Sequence, residues 1–239
     1  MSQLNVDTIE PEGASTTLTL GASGDTVALG TGASSSGFPG FNKWTPVTAT
    51  DATFDLQSGT TKLIIEVQAA GGAGGASDSG TRTGGPGGAG AYAKKLLTGM
   101  VDTDTLNITI GAAAGVAASG TTTSVASASG TSFTTITCTG GAGGVSADES
   151  DFGTAGAGGT VPTTGDLNIA GKNGQYTVLA SLAVAGVDSM FGFGGQSPVV
   201  RYDVGSAATG YGAGGQGGAG ASNAGGAGTP GLVIVWEYK

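Results

Sequence analysis

The chain lacks histidine, has one cysteine, and is only 6% aromatic and 10% charged over 239 residues. Each shortage excludes something. Without histidine, the Ser–His and Cys–His pairs of nucleophilic catalysis cannot be built, so no catalytic residues are expected and the chain does not read as an enzyme. Any metal site would consist of carboxylates alone. A single cysteine, Cys138, rules out an intramolecular disulfide framework. Within FTTITCTGG it reads as a small buried strand residue. Two arginines, Arg82 and Arg201, in a chain of net charge −9 provide no cationic surface for nucleic acid. No apolar stretch approaches the ~20 residues that span a bilayer, so membrane insertion is not expected. The opening MSQLNVDTIEPEG has no basic region followed by an apolar run, which implies synthesis in a cytoplasm without a cleaved signal.

What is abundant is glycine, 50 residues of it, arranged as GGX triplets. Residues 71–76 read GGAGGA, 84–90 read GGPGGAG, 140–144 read GGAGG, 214–220 read GGQGGAG and 225–228 read GGAG. A period of three is that of a polyproline-II-type helix, which has no internal hydrogen bonds. Two edges of a GGX helix carry only hydrogen, so neighbouring backbones can approach and pair their N–H and C=O groups. A flexible linker is the ordinary reading of Gly-rich sequence. Here, however, the blocks are punctuated by β-type segments such as TKLIIEVQA and LVIVWEY. Collagen needs Gly at every third residue over long runs with abundant Pro, and neither is present. The expected fold is therefore mainly β: a short N-terminal β-repeat stalk, then a glycine-rich β domain with packed polyglycine-II-type rods. Because ordering glycine is entropically costly, such rods are stable only among neighbours.

Two regions follow, 1–37 and 38–239. In the first, TLTLG is followed nine residues later by TVALG, two short alternating strands closed by Gly/Ser/Asp turns. Such units bury too little alone. An intertwined stalk of several chains, a homotrimer, is one reading and a disordered arm the other. Strands are expected over 45–50, 53–56, 61–69, 91–97, 105–110, 131–138, 176–179 and 232–238, with a short helix possible over 179–187. TKLIIEVQA and LVIVWEY are expected to lie near each other.

The segments interrupting the rods, 77–83, 145–154, 187–211 and 221–224, hold both arginines and several large side chains. Loops on a rigid scaffold are where recognition sits, and arginine and aromatic residues suit it. The receptor-binding candidates are Arg82, Asp148, Glu149, Phe152, Phe191, Phe193, Arg201, Tyr202 and Tyr211. Phe191 and Phe193 read equally well as core plugs. Asp102 with Asp104, and Asp148, Glu149 and Asp151, are acidic clusters without an EF-hand or nonapeptide pattern. They read better as solvated turns than as calcium sites. No metal or other cofactor is implied.

The segment LNVDTIEPEGASTTLTLGASGDTVALGTGAS resembles the opening of tail-fibre and related structural proteins of marine tailed phages of the cyanophage and pelagiphage type. The KLIIEVQAAGGAGG, GPGGAGAYAKK and GGAGTPGLVIVWEYK segments resemble a glycine-rich tail-fibre domain and phage adhesins that display loops on glycine rods. The resemblance covers nearly all of the chain. It implies a virion tail protein that contacts phage tail proteins through its N-terminus. Its glycine-rich end would meet a host cell-surface receptor, a glycan or outer-membrane protein. A purely structural tail, nozzle or baseplate component is the alternative. An ice-binding protein and a capsule depolymerase are more distant ones.

Overall fold

Segments rich in Val, Ile, Leu and Thr pair as strands because their branched side chains fit a pleated surface. The computed structural model describes residues 40–78, 80–148, 151–175, 183–196 and 203–239. The N-terminal repeat expected over 1–37 and the strand expected over 176–179 lie outside these. In chain order the strands are β1 (Phe41–Val47), β2 (Asp51–Asp55), β3 (Lys62–Gln68), β4 (Tyr92–Thr98), β5 (Thr105–Thr109) and β6 (Thr123–Ser129). They continue as β7 (Ile136–Cys138), β8 (Leu167–Ile169), β9 (Phe191–Phe193), β10 (Thr209–Tyr211) and β11 (Leu232–Tyr238). The described residues contain no helix, including 183–187, where a short one was expected. The fold is mainly β.

Two antiparallel sheets form a sandwich, a five-stranded one in the order β1-β11-β3-β4-β8 and a four-stranded one in the order β2-β5-β6-β7. The expected neighbours pair directly: Ile65 of β3 lies opposite Val235 of β11, and Val67 opposite Val233. Alternation turns Leu63, Ile65, Val67, Val233 and Val235 inward, where they meet Leu106, Ile108, Val125, Ile136 and Cys138 in one core cluster. Each of these ten side chains is fully buried, worth roughly 1.5–3 kcal/mol for a large aliphatic group. At one corner Asp104 closes a turn with its carboxylate, accepting the amides of Val101 (3.0 Å) and Thr131 (2.9 Å). Burial pushes that carboxyl up, but the hydrogen bonds from Val101 and Thr131 outweigh it and hold the group below the usual carboxylate range.

At one end the strands run on into the glycine-rich segments. β3 continues into 71–77, while 84–91 leads into β4 and 223–231 into β11. None of these segments is a strand, yet their backbone groups are paired with a step of three. The amides of Gly71, Gly74 and Ser77 donate to the carbonyls of Thr229, Gly226 and Asn223. Those of Gly72 and Gly75 donate to Gly88 and Gly85. In return, Ala70, Ala73 and Ala76 accept from Gly141, Gly144 and Ala147, and Gly72 and Gly75 accept from Gly215 and Gly218. All ten bonds measure 2.8–2.9 Å. With the bonds of Ala73 to Ala118 and of Ala117 to Gly74, segment 71–77 is thus bonded to five others. A strand, with its period of two, could not do this.

Segment 84–91 repeats the arrangement. Gly84, Gly87 and Gly90 donate to Gly218, Gly215 and Gly212, while Gly85, Gly88 and Ala91 donate to Val145, Ala142 and Thr139. The glycines are needed for proximity. A Cβ on Gly72 would sit 2.0 Å from the Ala142 carbonyl oxygen, and one on Gly74 only 1.9 Å from that of Gln216. Neither residue has a positive φ, so close approach alone explains the glycine. The third residue of each triplet is also enclosed: Ala73 and Ala89 are buried, and Gln216 accepts the Ser206 amide at 2.9 Å.

Candidate binding loops

At the end of the glycine-rich segments away from the sandwich, three connections come together. Ser77 is the hinge of the first two. Its amide donates to the Asn223 carbonyl, and its hydroxyl donates to Gly220 (2.8 Å) and accepts the Asn223 amide (2.8 Å). Asp78 then organises the 78–83 loop by accepting the amides of Gly80 and Arg82, both at 3.0 Å. The third connection is tied in by Arg82, whose guanidinium reaches the Asp148 carbonyl at 3.3 Å and Asp78 Oδ2 at 3.4 Å. Asp148 in turn accepts the Asp151 amide (2.8 Å), and Asp151 accepts that of Phe152 (2.9 Å).

Arg82, Asp148 and Phe152 are therefore brought to one place, with Asp148 exposed and Arg82 and Phe152 half-buried. Glu149, Arg201 and Tyr202 lie outside the described residues. Asp203 accepts the Ala219 amide at 3.0 Å, which places the chain at 203 beside this end. The carboxylates of Asp78, Asp148 and Asp151 are occupied in holding the turns. Among the described residues, no group of three acidic, cysteine or histidine side chains is placed to hold a metal ion. At the sandwich, Asp102 is likewise engaged, accepting the Gly59 amide at 3.0 Å.

Phe191, Phe193 and Tyr211 are elsewhere. The segment 187–211, read from sequence as one loop, divides. Its described ends, 187–196 and 203–211, form the β9–β10 hairpin and run beside the glycine segments, with Gly195 donating to Gly214 and Ala208 to Ala227. Phe191 pairs with Tyr211 across the hairpin and packs against Tyr92 at a ring separation of 6.0 Å. Phe191 is thus a half-buried plug, whereas Phe193 points out at 72% exposure beside exposed Met190. Ser189 donates to the Tyr211 carbonyl and Asp188 accepts the Gly194 amide at 2.8 Å, which fixes the hairpin base. A cleft of about 120 Å³ lies there, lined by Gln68, Gly90, Tyr92, Asp188, Ser189 and Met190.

Burial first, then the hydrogen bond to Glu66 and its charge, push the Tyr92 phenol up, so it stays protonated. Burial pushes the Cys138 thiol up to about 12, which removes it as a nucleophile. Its position in β7, fully buried, is the one read from its alternating context. Met190 is a large residue of the interrupting segments but not one of the candidates, and sequence reasoning missed the way the 78–83, 147–152 and 219–223 connections converge. The convergence is set by hydrogen-bond register between segments up to 146 residues apart, for which no local pattern stands. No protein-family model and no curated protein matches the chain.

Proposed function

We propose that the chain is a tail fibre of a tailed phage, a virion structural protein that attaches to tail proteins through residues 1–37. Residues 38–239 then bind a host cell-surface receptor, a glycan or outer-membrane protein. In this reading the protein is a homotrimer without cofactor or enzymatic activity, located in the virion tail. The observation that carries it is the gathering of three connections, with Arg82, Asp148 and Phe152 among them, at the end of the glycine-rich segments remote from the sandwich. Such a layout suits an adhesin: a stiff support carrying short, replaceable loops. The resemblance of the N-terminal and GGX segments to marine phage tail proteins supports the same assignment.

The support itself we read as a bundle of polyglycine-II-type rods. The three-residue step of the hydrogen bonds and the bonding of one segment to several neighbours favour this geometry over a sheet. A rod of seven residues would extend about 20 Å at ~3.1 Å per residue, which carries the loops clear of the sandwich.

The test is saturable binding of labelled full-length chain to marine bacterial strains, in competition with adsorption of phage carrying it. Binding that blocks adsorption, and that weakens about tenfold in Arg82→Ala with thermal stability retained, is the expected result. A folded, correctly assembled chain that binds no strain the phage infects would refute receptor binding and leave a structural tail role.

A further inference from the structure

An antiparallel sheet with one face in water reads as alternating apolar and polar residues. β11 does not. LVIVWEY is a near-continuous apolar run, the pattern of a strand covered on both sides, whereas β3 beside it alternates and adds only Ile64 to the apolar residues of the outer face. One side is covered by the sandwich core. On the other, partly exposed Ile64 and Trp236 are joined by exposed Trp44 of β1, Leu96 of β4 and Leu167 of β8, while Ile234 beside them is buried.

Phe41, Trp44, Leu96 and Leu167 are 56%, 51%, 52% and 49% exposed. With full aromatic side chains covering ~150–250 Å², the open apolar patch is roughly 400–500 Å² before partly exposed Ile64, Trp236 and Tyr238 are added. That is in the range of the largest patch on a typical monomer, where such patches are often functional, and is about half of the ~800 Å² per partner of a stable interface. Glu66, in the middle of the face, accepts hydrogen bonds from Tyr92 Oη (2.8 Å) and Trp236 Nε1 (3.0 Å) and pairs with Lys94 at 3.5 Å. Asp166 at its edge accepts the Leu96 amide at 2.8 Å. The central carboxylate, Glu66, is thus neutralised by Lys94, and the charge of exposed Asp166 stays at the edge.

The relief of the face selects the partner. On the β1 side an aromatic ridge stands out, with Trp44 stacked on Trp236 at 5.7 Å and Phe41 against Tyr238 at 5.9 Å. On the β4–β8 side, Ile64, Lys94, Leu96, Asp166 and Leu167 line an open hollow of about 250 Å³, room for a large side chain. Ridge and hollow lie on opposite sides of one face, so a ridge can enter the hollow of the next copy and the pattern repeats. A head-to-tail contact of this kind closes into a ring when the rotation between copies divides the circle, and otherwise runs on as a filament. We propose that this face is the contact between copies of the chain, the Trp44 ridge of each seated in the Leu96–Leu167 hollow of the next, closed as a trimer. The proposal rests on the trimer reading above and is independent of receptor binding.

Sedimentation equilibrium of the full chain, wild type against Leu96→Glu/Leu167→Glu, tests it. The tryptophans Trp44 and Trp236 are the only two in the chain, so acrylamide quenching reads the face directly. The expected result is a wild-type trimer with quench-protected tryptophans. In the double variant the trimer dissociates at least ~100-fold more readily and its tryptophans become accessible, while the melting of the sandwich persists. Trp44→Ser gives the same dissociation from the ridge side. A trimer that survives both variants overturns the contact and leaves the trimer reading standing. A wild-type monomer with open tryptophans overturns both, and a dimer overturns the ring.

Discussion

The sandwich and the glycine-rich segments are both buried, but by different means. In the sandwich, enclosure comes from large aliphatic side chains such as Leu63, Ile65, Leu106 and Val235, and the backbone pairs in ordinary ladders. Among the glycine-rich segments there is almost no side chain to bury, and backbones approach until a single Cβ would strike a carbonyl oxygen. The sandwich therefore excludes water from apolar area. The glycine segments exclude it by satisfying nearly every amide against a neighbour. The two regions should accordingly fail under opposite substitutions, enlargement in one and truncation in the other.

The largest effect is expected where backbone contact is closest. In Gly88→Ala, the added methyl would lie 2.1 Å from the Ala157 carbonyl oxygen, backbone against backbone. Loss of more than ~3 kcal/mol, or failure to fold, is expected in urea denaturation. The exposed Ala157→Ser, one segment away, should stay within ~0.5 kcal/mol. Equal tolerance at both positions would erase the distinction between the regions. In the sandwich the reverse operation matters: Ile65→Ala, at a fully buried position, should cost ~2–5 kcal/mol, measured the same way.

A smaller effect is expected at the sandwich corner. Asp104→Asn keeps the shape but removes the charge that receives two amides, so a loss of ~1–3 kcal/mol is expected at pH 7. The carboxyl of Asp104 titrates below its unfolded value, so its contribution is complete above about pH 4. It is lost as the pH falls through the lower folded value. Melting curves of wild type and variant should therefore converge in acid, and a gap of constant size down to pH 2 would contradict the assignment. The smallest effect belongs to the hairpin: Phe193→Ala, at a side chain 72% exposed, should change stability by less than ~0.5 kcal/mol. Cys138 should react with a thiol reagent only after unfolding, because burial holds its thiol up to about 12.

How much of this was legible follows the same division. Strands with large branched residues could be read: 232–238 appears as β11 with the same ends and 61–69 as β3, one residue shorter at each end, and the two lie side by side as expected. β6 could not be read, because TSVASAS offers only Val125 as a large apolar group, and its pairing with β5 is imposed by the core. The expected strand over 131–138 shrinks to Ile136–Cys138, the part that faces β6. The GGX blocks marked where backbones would meet. They did not mark segments such as 203–208, which lack a GG pair yet accept from Gln216 through the Ser206 carbonyl at 3.1 Å. Of the candidate binding residues, Arg82, Asp148 and Phe152 come together, whereas Phe191, Phe193 and Tyr211 belong to the β9–β10 hairpin. Interruptions in a repeat show that loops exist. Which loops meet depends on register.

The central claim is that the glycine-rich segments are held by backbone hydrogen bonds to one another. Amide hydrogen exchange of Gly72, Gly75, Gly85 and Gly88, followed by NMR on uniformly labelled protein, addresses it directly, since each donates to another segment at 2.8–2.9 Å. Protection comparable to that of Ile65 and Val235 in the sandwich is the expected result. Exchange of these four amides at the rate of an unstructured chain, with Ile65 and Val235 still protected, would contradict the account.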